Sequence, residues 1–216
     1  MEFKEAVNYR QSIRYFTDQQ IAPADLKEIV QLAQRTPSWA NSQPWQAYVA
    51  TGQTLEKIKA HHLAAAQQGV SGNSDFPVAH RNQWGQPAQE NMAKWGQDLQ
   101  TYLGHQMPQM SAAQAHLFNA AALVYLVLPQ DATDWSIYDL GAFGQTLMLV
   151  AADRKIDSMP AYEIVRYPDA VRELMGIPAD QQVAMGIALG YRDPAYRING
   201  FRTKRAAEST ILTIKD

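Results

Sequence analysis

Ala122-Leu123-Val124-Tyr125-Leu126-Val127-Leu128 is an unbroken apolar run closed by Pro129. A segment of this length without polar alternation reads as a central, buried strand. The wider stretch from Ala120 to Pro129 is too short to cross a bilayer. Working outward, residues 136–154 form the most apolar helix, with Ile137, Leu140, Phe143, Leu147, Leu149 and Val150 spread around its circumference. Its small residues Gly141, Ala142 and Gly144 permit close helix contact. Beyond it come a loop at Met159-Pro160-Ala161-Tyr162-Glu163, a short helix over 168–175, and a strand over Gln182–Leu189 ending at Gly190. On the other side, helices are expected over 2–9, 23–35, 54–67, 89–106 and 111–119, and a strand over 46–51. Pro23 suits a first helical position, and Pro37 stops that helix. Strands and helices mixed at this spacing argue for an α+β layered fold.

The chain has 216 residues, 46% of them hydrophobic and 19% charged, and a formal net charge of -2. One globular domain over 1–216 is the expectation, and nothing in the charge points to nucleic acid or an acidic membrane as partner. The absence of cysteine excludes disulfides, thiolate metal sites and thiol catalysis. The start, Met1-Glu2-Phe3-Lys4-Glu5, lacks the pattern of a secretory signal, so a cytoplasmic location is expected. Residues 69–89, rich in Gly, Ser, Asn, Gln and Pro, read as a long loop or lid suited to substrate contacts. Residues 69–115 are the variable part. Residues 191–216 form a C-terminal arm without helical period, whose apolar end at Ile211, Leu212 and Ile214 should dock on something.

Two strings carry the chemistry. In Arg10-Gln11-Ser12-Ile13-Arg14-Tyr15-Phe16, an extended backbone would put Arg10, Ser12 and Arg14 in one row of about 13 Å. Such a row can hold a ligand with an anionic end and a polar ring, because a guanidinium binds two oxygens at once. A solvated arginine-rich turn is the competing reading. The second string, Pro37-Ser38-Trp39-Ala40-Asn41-Ser42-Gln43-Pro44-Trp45, offers short donors and acceptors in irregular backbone, able to read the edge of a heteroaromatic ring. It reads equally as a turn whose indoles anchor the core or an interface. Arg202, Lys204 and Arg205 could complete a phosphate site or simply be solvated. No G-x-G-x-x-G, P-loop or G-x-S-x-G string is present. The five histidines form no convincing metal spacing, and Asp131, Asp134, Asp139, Asp153 and Asp157 read as caps or solvated groups.

At these residues the chain resembles the FMN-dependent nitroreductase family. The resemblance rests on the early Arg-x-Ser-x-Arg, the Pro-Ser-x-x-Asn-Ser-Gln-Pro-Trp segment, and a following strand at Tyr48-Val49-Ala50-Thr51-Gly52. It continues through Asp139-Leu140-Gly141, Pro160-Ala161-Tyr162, Ala188-Leu189-Gly190-Tyr191 and the basic C-terminal string. It implies a three-layer α/β/α sandwich with a central, mainly antiparallel sheet. It also implies a homodimer with FMN at the interface and a domain-swapped C-terminal arm.

Carried over residue by residue, the resemblance assigns Arg10 and Ser12 to the FMN phosphate, with Gln11 beside them, and Arg14 to the pyrimidine edge of the flavin. Pro37, Ser38, Trp39, Asn41 and Gln43 would contact the flavin from the other subunit. Pro160, Ala161 and Tyr162 would lie along the ring and bring a backbone N–H near N5. Arg202, Lys204 and Arg205 would close the phosphate end. Relatives supply an Asn and a Lys from the stretch equivalent to 69–82, where this chain has no clean counterpart and Asn73 is a weak candidate.

No side-chain acid or base is then required as a catalytic residue, since the flavin carries the chemistry while Arg14 and Tyr162 tune it. The implied reaction is reduction of nitroaromatics, and of quinones, by NAD(P)H in a ping-pong sequence, because no separate dinucleotide domain is present. Trp39, Phe76, Trp84 and Tyr162 are candidates to stack on a flat substrate. Arg81 and Lys94 near the lid favour a carboxylated one such as a nitrobenzoate. The alternatives are a flavin-storage protein without turnover and a reductive dehalogenase of the same fold.

Overall fold

The computed structural model describes residues 1–216. Its four strands are β1 (Gln46–Ala50), β2 (Ala122–Pro129), β3 (Asp157–Pro160) and β4 (Gln181–Gly190). They form one sheet in the order β1-β2-β4-β3 with every neighbouring pair antiparallel. The helices are α1 (Phe3–Tyr9), α2 (Pro23–Ala33), α3 (Gly52–Gln67), α4 (Gln86–Leu103), α5 (Pro108–Ala115), α6 (Asp134–Asp153) and α7 (Pro168–Met175). None is long and apolar enough to cross a membrane.

The apolar run of β2 explains the layering. Leu123, Tyr125 and Val127 point to one face, where they join a core with Leu55 and Ile58 of α3 and Val171 of α7. Val124, Leu126 and Leu128 point to the other, with Leu26 and Ile29 of α2 and Leu140, Phe143 and Leu147 of α6. Helices thus cover both faces, and the three-layer sandwich follows from a strand that has no polar side. Trp45 is a core residue, stacked on Phe143 at 4.9 Å.

Several elements depart from the sequence expectation. The loop predicted at 159–163 begins as strand β3, followed by a 3-10 turn over Tyr162–Val165. α4 starts earlier than expected because Pro87 occupies its first turn. The helix expected over 111–119 stops at Ala115, and Leu117, Phe118 and Asn119 all take positive φ, at 45°, 61° and 54°. Asp139 and Asp157 are buried rather than solvated. Asp157 accepts from Arg192 N at 3.1 Å and Nε at 2.9 Å, and Asp139 Oδ2 accepts from Trp39 N at 2.9 Å.

The lid is docked rather than free at its base. The Asp75 carboxylate accepts from Val183 N at 2.6 Å and pairs with Arg172. Phe76 is partly buried against the core. The C-terminal stretch also stays on its own chain through Phe201, because Ile198 and Phe201 are buried against Leu99 and Leu103 of α4. Only the residues beyond 201 are exposed throughout.

Candidate functional site

Residues 10–16 leave α1 in extended form and run beside β3. Ser12 bridges Ser158, and Ile13 N donates to Ser158 O at 3.0 Å. The apolar side chain of Ile13, between Ser12 and Arg14, is fully buried, which turns its neighbours to the opposite side. Arg10, Ser12 and Arg14 consequently line one cleft of ≈ 330 Å³, as their two-residue spacing predicts, with Gln11 also in its wall. Arg202, Thr203 and Arg205 close it from the C-terminal segment, and Gln145 of α6 forms part of the wall.

Four guanidiniums therefore converge, and the cleft wall contains no carboxylate. None of the four lies within ion-pair distance of an acidic group. Arg14 is only 5% exposed, yet its Nη1 reaches just the backbone Ser12 O, at 3.1 Å, and its Nε has no partner. Gln11 Oε1 is likewise buried and unpartnered, as is Ser158 Oγ on the neighbouring strand. Burial lowers the Arg14 pKa, and burial followed by the charge of Arg205 lowers that of Arg10. An unpaired buried charge costs several kcal/mol, on the order of what a well-placed counter-charge restores. The cleft is built to receive an anion with further acceptors.

The structure separates the C-terminal cations. Arg202 donates to Asn8 O at 2.7 Å from the cleft wall, and Arg205 donates to Thr203 O and Lys204 O at 3.2 and 3.3 Å. Lys204 lies outside the wall and pairs with Asp98 at 3.3 Å.

Pro160, Ala161 and Tyr162 continue the strand that carries Ser158, so Pro160 lies about 7 Å further along it. Pro160 has no N–H, and Ala161 N donates to Gly186 O at 3.1 Å, so the first amides of the following 3-10 turn, Tyr162 and Glu163, are the donors it can offer. The Tyr162 side chain is partly exposed and packs over Gly72, where a Cβ would stand 2.4 Å from its hydroxyl. Behind it, Glu163 pairs with Arg166 at 3.0 Å and approaches buried His62 at 3.3 Å. Burial pushes the Glu163 carboxyl up, but the bonds and charges of His62 and Arg166 outweigh this, and its pKa is lowered.

The segment from Pro37 to Gln43 does not reach the cleft of its own chain. Ala40, Asn41 and Gln43 hold positive φ at 46°, 61° and 46°, and Ser38 Oγ accepts from Gln43 N at 2.9 Å. Trp39 is 60% exposed and rests against the equally exposed Trp135, ring centroids 4.9 Å apart. Asn73 is engaged with Asp169 at 2.8 Å and lines no cavity described above.

Comparison with known proteins now bears on this arrangement. The sequence profile described as the nitroreductase family matches residues 7–191. The chain belongs to the nitroreductase family. Among the family's characterised proteins it is 27% identical over 213 residues to a 4-nitrobenzoate reductase of Pseudomonas putida, covering 94% of this chain and 91% of the relative. It is 29% identical over 206 residues to the nitroreductase NfnB of Mycolicibacterium smegmatis, covering 93% and 87%. Among solved nitroreductases, the FMN-dependent NfnB from Mycobacterium smegmatis, in complex with NADPH, superposes with a TM-score of 0.90 at 25% identity, over 99% of this chain and 97% of that one. The family match accounts for the sandwich and for the order of the two early strings.

Sequence reasoning missed two features of this nitroreductase site. Gln145 carries a weak signal as a polar residue within the apolar α6. Asn199, which ties the arginine string to the C-terminal segment, sits in an Asn-Gly pair that reads as a plain turn.

Proposed function

We propose that this chain is an FMN-dependent oxidoreductase that reduces nitroaromatic compounds, and quinones, with NAD(P)H, acting as a cytoplasmic homodimer with one flavin at each end of its interface. The observation that carries this reading is the cleft of four arginines without a carboxylate, beside the orphaned polar atoms of Gln11 and Arg14. FMN fits this set: a phosphate dianion matches Arg10, Ser12, Arg202 and Arg205, and a ring edge rich in carbonyl and nitrogen acceptors matches the free Arg14 Nε. When bound, FMN supplies the two-electron redox chemistry.

The protein's own residues bind and orient. Arg14 presents a fixed positive charge in a poorly solvated site, where a charge acts more strongly than in water. The Tyr162 amide presents a donor from a turn held rigid by Glu163 and Arg166. Pro37, Ser38, Trp39, Asn41 and Gln43 serve the flavin of the partner subunit. The exposed indole of Trp39 and the apolar end of the arm, at Ile211 and Ile214, are surfaces that a second copy would cover. A carboxylated nitroarene such as a nitrobenzoate is the favoured substrate. It is supported by relatives named 4-nitrobenzoate reductase in Pseudomonas putida and Nocardioides.

The test is an anaerobic visible spectrum of the purified protein, taken before NADPH, after it, and after 4-nitrobenzoate. Flavin bands that bleach and then return are expected. A colourless protein that takes up no added FMN would overturn the reading. Bands that bleach and stay bleached would discard the substrate and keep the flavin.

A further inference from the structure

The arginines of the cleft come from opposite ends of the chain, and one side chain lies between them. Asn199 is 5% exposed and every polar atom of it is engaged. Its Oδ1 accepts from Arg14 N at 2.8 Å and Tyr15 N at 3.1 Å. Its Nδ2 donates to Tyr15 O at 2.7 Å and Asp193 O at 2.9 Å. Its backbone O accepts from Gln11 Nε2 at 3.0 Å, and its N donates to Tyr196 O at 3.0 Å. A carboxamide has two donors and one oxygen with two lone pairs, so this side chain is saturated.

The bonds are not distributed at random over the fold. Gln11 and Arg14 line the cleft, and so do Phe201 and Arg202, two and three residues after Asn199. The surroundings leave little slack. Tyr196 stacks on Tyr15 with centroids 3.6 Å apart, and a Cβ on Gly200 would stand 2.5 Å from the Tyr102 hydroxyl. Without the clasp, the mutual repulsion of Arg10 and Arg205 would favour opening of the two walls.

We infer that Asn199 is the positioning residue that holds the N-terminal arginines in register with those after Phe201, creating one phosphomonoester site from two chain ends. This rests on the FMN reading above. It extends that reading by making affinity for the phosphate, whose cations come from both chain ends, depend more than affinity for the ring on a residue outside the cleft lining.

The experiment measures dissociation constants of the apo-protein for FMN and for riboflavin, which lacks the phosphate, by quenching of flavin fluorescence. Wild type, Asn199→Ala and Asn199→Ser are compared, and the thermal midpoint of each apo-protein is taken in parallel. The expected result for Asn199→Ala is a loss of about tenfold or more in FMN affinity, in line with loss of buried hydrogen bonds, while riboflavin affinity changes far less. Asn199→Ser, whose hydroxyl preserves part of the clasp and whose milder change protects folding, should fall between. Equal losses for FMN and riboflavin, or an FMN affinity that does not change, would overturn the inference. A wild type that binds FMN no better than riboflavin would overturn the cofactor reading itself, and this inference with it.

Discussion

The cleft around Arg14 and the segment from Pro37 to Gln43 are both rich in polar groups, yet one chain treats them oppositely. The cleft is assembled internally: burial of Ile13 turns Ser12 and Arg14 to the other side of the extended segment, leaving the arginine charges unpaired. The 37–43 segment is strained and turned outward. Its left-handed residues cost on the order of 1–3 kcal/mol each, and they are held by turn bonds within the segment, among them Gln43 N to Ser38 Oγ and Ser42 N to Trp39 O, and by one long-range bond from Trp39 N to Asp139. The difference teaches that one chain brings distant cations together in a single cleft, whereas the other segment leaves the indole of Trp39 facing outward.

The comparison breaks most readily at Arg14. Replacing it with Ala should weaken FMN binding by about a hundredfold, the scale expected for a charged hydrogen bond in a desolvated site. Fluorescence titration measures this, and an unchanged affinity would sever the cleft from the cofactor. The next effect should come from Asp139→Ala, which releases Trp39 N and relaxes the strained segment. If that segment serves the partner's flavin, FMN affinity should drop by about tenfold and the dimer should dissociate at higher protein concentration in sedimentation runs. A loss of FMN with no change in self-association would limit its role to one subunit.

Gly72→Ala sharpens the comparison from the lid side. The new methyl would meet the Tyr162 hydroxyl and, at 2.7 Å, Arg166 Cγ. Turnover of 4-nitrobenzoate should fall several-fold, roughly 1 kcal/mol of barrier, while FMN affinity holds. The turn behind Tyr162 should also carry an acid dependence. The Glu163 carboxyl is lowered in the folded chain, so its stabilisation is complete above its unfolded value, near about 4.3, and is lost as pH falls below it. The difference in melting temperature between wild type and Glu163→Gln should therefore shrink on acidification, and a difference that grows would reverse the assignment. Smallest of all is Lys204→Ala, which removes an exposed ion pair with Asp98 and should leave FMN binding within about twofold.

How much of this was legible in the sequence differs by element for physical reasons. The β2 run announced a central buried strand because it has no polar face, whereas the sandwich around it came from the family resemblance rather than from the run itself. The period-two spacing of Arg10, Ser12 and Arg14 was enough to place them in one cleft, since buried Ile13 turns its neighbours to the opposite side. β3 was missed because it is four residues long, opens with an aspartate and ends with a proline. The left-handed turn at Leu117–Asn119 contains no glycine to reveal it. Arg202 and Arg205 could not be told from Lys204 by composition, because only the path of the backbone after Phe201 decides which side chains enter the cleft. Asn199 was invisible for the same reason, its partners lying at the far end of the chain.

The most direct test of the division between the two regions is a crystal structure of the protein with FMN. The phosphate should lie against Arg10, Ser12, Arg202 and Arg205 of one subunit while the ring edge meets Asn41 and Gln43 of another. A phosphate seated outside the arginine cleft, or a flavin enclosed by one chain alone, would contradict the account.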